Sequence, residues 1–178
     1  MRRVAVSAVM LSLAVAGCGG GRGGGAAVQS ASVATTAVTP MVLSAASYVA
    51  MASSIDLYQV KAAQLALERA HDPANRAFAE QALTAHKGTS AQLSMAGRRL
   101  NLLPSATLDP QHQAMLDALG ATSDFDNTYR GQQNIVLQEA LRLHSSYAKG
   151  GQSPTLRPVA ANAESVMRAN LQALRNSR

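Results

Sequence analysis

Four histidines (His71, His86, His112 and His144), four glutamates, six aspartates and a single cysteine, Cys18, carry most of the reactive chemistry in this sequence. Metal centres inside helical bundles draw on several glutamates and on paired Glu-x-x-His spacings, which project carboxylate and imidazole from one helix face. One such spacing is present, Glu68 with His71, but it falls at a helix end, where it cannot face partners. Asp124 and Asp126 form a pair for acid–base work only if a cleft lies between them. In the first turn of a helix they complement the dipole instead. His71, at a helix C-terminus, is favoured by the same dipole, and His112 and His144 fall near helix ends or on a short connecting helix. There is no nucleophile motif, and the glycine tract after Cys18 is not followed by a phosphate-binding helix. His86 alone is expected on an apolar face in mid-helix.

The elements that position it are sharply punctuated. Asp72-Pro73, Asp109-Pro110 and Ser153-Pro154 each place a capping residue before a proline suited to the first helical position. Gly120 and Gly150-Gly151 are expected stops. The predicted helices cover about 44–71, 73–99, 110–119, 123–149 and 154–176, with Pro158 causing a kink or a late start in the last. Each long helix has a stripe at helical spacing: Tyr48, Ala52, Ile55, Gln59, Ala62 and Ala66; Phe78, Ala82, His86, Thr89, Leu93 and Ala96; Phe125, Tyr129, Val136, Ala140, Leu143 and Tyr147; Leu156, Ala163, Met167, Asn170 and Leu174. Aromatic residues make up only 3% of the chain and tryptophan is absent, which favours closely packed helices over a β-sandwich. The expected fold is all-α: a ferritin-like antiparallel four-helix bundle over residues 44–176. The short extra helix sits in a crossover connection long enough to run the bundle's length.

Cys18 has a different setting. Arg2 and Arg3 precede an apolar run from Val4 to Val15, too short to span a bilayer comfortably. Val15-Ala16-Gly17-Cys18 resembles the lipobox of bacterial lipoproteins. That implies cleavage after residue 17, a diacylglycerol on Cys18 and anchoring in a membrane. The alternative is an ordinary secretory signal that leaves Cys18 as an unpaired thiol. Gly19 and Gly20 follow where an aspartate would favour retention in the inner membrane, which implies the outer membrane, facing the periplasm. Residues 18–43 carry only Arg22 as a charge and lack an apolar face, so a flexible tether is expected. The net charge of +6 includes Arg2 and Arg3, and the other bases are scattered. Nucleic acid, which needs a basic stripe, is not an expected partner.

"QVKAAQLALERAHDPANRAFAEQALTAHKGTSAQL" and "SDFDNTYRGQQ" resemble a large family of bacterial envelope proteins of unknown function, usually labelled membrane or outer-membrane proteins, with a ferritin-like bundle domain. The resemblance runs from about Ala46 to Leu174. It implies a ligand layer of one glutamate and three histidines, at the positions held here by Gln59, His86, Leu137 and Asn170. Of these only His86 keeps a metal-binding side chain. Hairpin turns near residues 72 and 151–152 set Gln59 level with His86 and bring Leu137 within roughly one turn of Asn170. Glutamine, asparagine and leucine are poor or null replacements for carboxylate and imidazole, so no metal or other cofactor is expected.

Two readings of His86 stay open: a buried polar layer in which Gln59, His86 and Asn170 hydrogen-bond one another, or a histidine facing water. The expected function is a membrane-anchored, non-catalytic structural or interaction module, with its protein or ligand partner unknown. The alternatives are a metal-binding or oxidative protein using His86, and a binder of peptides or small apolar ligands in space left by the alanines.

Overall fold

The computed structural model describes residues 42–177, and these contain five α-helices and no strand. The helices are α1 (Ala45–Arg69), α2 (Pro73–Arg98), α3 (Pro110–Ala121), α4 (Phe125–Gly150) and α5 (Arg157–Asn176). The described residues are thus all-α. No helix among them is long and apolar enough to cross a membrane. Ser44 caps α1 by accepting the Ser47 N–H at 3.0 Å. Asp72 caps α2 through Ala74 at 2.8 Å, with Pro73 following, and Asp109 caps α3 through His112 at 2.8 Å, with Pro110 following. These side chains satisfy donors that have no partner inside the helix.

Most helix ends shift by one to three residues from the sequence expectation, and two of these shifts have identifiable causes. The helix α3 continues past Gly120 to Ala121, because Arg69 of α1 reaches over and binds the carbonyls of Leu119, Gly120 and Thr122. External donors thus do the work expected of a glycine cap. The last helix takes the late start expected of Pro158, at Arg157 rather than near residue 154: the Ser153 carbonyl accepts from Leu156 and Arg157 in a turn, and the helix proper starts with Pro158 in its first positions.

Side-chain bonds fix the directions of the long helices. Tyr48 meets His144 at 3.0 Å and Tyr58 donates to Gln132 at 2.7 Å, so α1 and α4 run antiparallel. The pairs Gln81 with Asn170 (3.1 Å) and Gln92 with Asn162 (2.8 Å) make α2 and α5 antiparallel as well. The helix α1 also packs on α2, and α4 on α5, while α3 lies on α1 and α4. Residues 99–124 return along α1. Ser105 N–H donates to Ser53 at 3.1 Å, Asp109 N–H to Ser54 at 2.9 Å, and Arg69 reaches Leu119 at the far end. Every residue of the four stripes is buried, as is Tyr58 beside them, and Tyr48 stacks on Tyr147 at 3.9 Å.

The "FDNTYR" segment ties the end of the assembly together. Asp126 accepts the backbone N–H groups of His71 (3.1 Å) and Asp72 (3.3 Å) and the Asn75 amide (2.8 Å), clamping the α1–α2 turn onto α4. Those three donors hold the Asp126 carboxyl below the usual carboxylate range, against an opposing push from burial. Arg130 donates to the Leu174 carbonyl at 2.6 Å and so joins α4 to the end of α5.

Candidate functional site

Asp56, His86, Thr89 and Asn170 form one buried hydrogen-bonded chain across α1, α2 and α5, with the exposed Gln81 at its end. His86 is completely buried, and its Nδ1 lies 2.8 Å from Asp56 Oδ1. The Thr89 hydroxyl donates to the same Asp56 oxygen at 2.7 Å. On the other side of the ring the Asn170 amide is 3.4 Å from Nε2, and Asn170 Oδ1 accepts from Gln81 at 3.1 Å. With Asn170 donating to Nε2, Nδ1 carries the proton that Asp56 accepts.

The structure therefore brings together two of the four positions singled out in the sequence, His86 and Asn170. Leu137 is buried but apolar. Gln59 is completely buried, and neither its amide nitrogen nor its oxygen has a partner among the described residues. The expected mutual bonding of Gln59 with His86 and Asn170 is thus corrected, since Asp56 takes that place. An ionised carboxylate is a stronger acceptor for an imidazole N–H than a neutral carboxamide, and Asp56 lies one turn from Gln59 on the same helix. The sequence signal was available, because a charged residue adjoining the Ala52–Ile55–Gln59 stripe calls for a buried partner.

A second polar group lies between α1 and α4. Gln133 is completely buried with both carboxamide atoms unpartnered among the described residues, and the Tyr129 hydroxyl is equally without a partner. Burial, with Tyr58 nearby, pushes the Tyr129 hydroxyl above its ordinary range. An unmet buried polar group costs about 1–3 kcal/mol, so these atoms and those of Gln59 together would consume most of a domain's stability if left dry.

His144 and His112 are structural by their contacts. His144 is buried in the core rather than placed at a helix end, with Nδ1 on the Tyr48 hydroxyl. Burial lowers it to about 4, and the His86 side also disfavours its charge, while Asp56 and Glu164 act in the opposite direction. His112 anchors α3, meeting Asp109 at 2.7 Å and Ser54 at 3.0 Å. Glu68, His71, Asp124 and Asp126 line an open groove of about 510 Å³ at the clamped end. Among the described residues no three His, Cys, Asp or Glu side chains group so as to hold a metal ion. A second groove, of about 370 Å³, runs between α1, α2 and the Pro104–Ser105 segment, with Asp56 among its lining residues. Cys18, the expected signal peptide and nearly all of the expected tether lie outside the described residues.

Fold and site together define an all-helical domain whose interior polar groups bridge helices. Residues 28–176 match the family described as "Domain of unknown function (DUF4142)", and the chain belongs to it. No curated protein and no solved structure matches the chain significantly.

Proposed function

We propose that this chain is a lipid-anchored envelope protein whose ferritin-like four-helix bundle serves as a non-catalytic structural or interaction module. The observation that carries the reading is the engagement of His86: one ring nitrogen is taken by Asp56 of α1 and the other faces Asn170 of α5. The one metal-type side chain at the implied ligand positions thereby becomes a bolt between three helices. Buried polar links of this kind fix register when their members are satisfied. The bundle topology is supported by the antiparallel long helices and by residues 99–124 returning along α1, the hallmark of one long crossover.

The anchor rests on the sequence around Cys18, with export across the inner membrane and an outer-membrane position facing the periplasm. Fractionation of cells grown with radiolabelled palmitate tests it. Label and membrane association are expected for the native chain and lost in Cys18→Ser; an unlabelled native chain in the soluble periplasmic fraction refutes the anchor.

A further inference from the structure

We infer that the interior between α1 and α4, at the level of Gln59 and Gln133, is a built binding site for ordered water. Tyr48 lies opposite His144, and Tyr58 opposite Gln132, which sets Gln59 level with Gln133. Tyr129 lies one turn from Gln133 on the same face of α4. These three residues present five polar atoms, both carboxamide pairs and one hydroxyl, with no partner among the described residues, and all three side chains are completely buried.

The chemistry of the set selects the occupant. All three groups are neutral, so an ion held there would lack charge compensation. The nearest carboxylate along α1, Asp56, already receives His86 and Thr89 on one oxygen. Carboxamides and a phenol both donate and accept, and water does the same. A buried water makes about three hydrogen bonds, so two of them would meet the five atoms. Ala62, one turn from Gln59 on α1, and Ala82, one turn from His86 on α2, are small and completely buried.

Oxygen-17 relaxation dispersion of the full chain counts long-lived internal waters directly. The count is expected to fall by one or two in Gln59→Leu/Gln133→Leu and by at least one in Gln133→Leu alone, which serves should the double variant not fold. An unchanged count in Gln133→Leu overturns the inference. So does a crystal structure in which the two carboxamides bond each other directly with no water between them.

Discussion

Replacing Asp56 with alanine removes the acceptor that His86 and Thr89 share, at 2.8 and 2.7 Å; the His86 N–H is left sealed in the core, while the Thr89 hydroxyl keeps the His86 carbonyl at 3.2 Å. A stranded donor carries a penalty of about 1–3 kcal/mol, and a hydrogen bond to a charged group is worth about 1.5–3 kcal/mol. The upper end, about 3 kcal/mol, applies, because Asp56 is 2% exposed and His86 is completely buried. With an m-value of about 1.5–2 kcal/mol/M for a domain of this size, the urea midpoint is expected to drop by about 2 M, with m unchanged. Asp56→Asn, which keeps an acceptor oxygen but not the charge, should lie between alanine and native. Pairing Asp56→Ala with His86→Leu in a double-mutant cycle should recover more than 1 kcal/mol, roughly the share that belongs to the contact itself. A loss below about 1 kcal/mol, or a gain, would refute the reasoning. Gains are the usual mark of residues held for activity at the expense of stability.

Three other perturbations test separate parts of the structure. His144 titrates near 6.5 when unfolded but only at about 4 in the fold, so the unfolded chain binds the extra proton between those values and stability drains away as pH falls through that window. The loss sums to about 3 kcal/mol, read as the difference between urea titrations at pH 7 and pH 4, and His144→Leu should flatten it. At the end of α2 a Cβ on Gly97 would collide with the Leu102 carbonyl, since both Leu100 and Leu102 N–H groups fold back onto Gly97 at 2.9 Å. Gly97→Ala should therefore lower stability by about 1–3 kcal/mol despite its better helix propensity, as thermal unfolding will show. The triple variant Gln59→Glu, Leu137→His and Asn170→His should acquire stoichiometric Zn²⁺ or Fe²⁺ by calorimetric titration if the four positions converge, whereas no uptake means that they do not.

Much of the fold could be read from the sequence because its local signals agree. The Asp-Pro pairs at 72–73 and 109–110 cap helices, and every stripe residue is buried. Of the two outcomes expected of Pro158, a kink or a late start, the last helix takes the late start, because two prolines four residues apart cannot both open it with an uninterrupted first turn. The α3 end at Gly120 was misplaced because its cap comes from Arg69, about 50 residues away. The candidate site was half visible: His86 and Asn170 meet, but Asp56 was passed over because it borders the stripe instead of lying on its centre line. Gln133 was missed although it stands four residues from Tyr129 and three from Val136, squarely on the buried face. Which buried polar side chain pairs with which depends on helix rotation and tertiary register, which periodicity within one helix leaves open.

The central claim, that His86 bolts helices together instead of holding a metal, is tested most directly on the full chain, purified without a metal-binding tag. Bound metal is measured by elemental mass spectrometry beside melting curves with and without chelator. Metal well below one equivalent and superimposable melting curves are the expected result. Near-stoichiometric metal with a melting temperature that falls on chelation would contradict the claim.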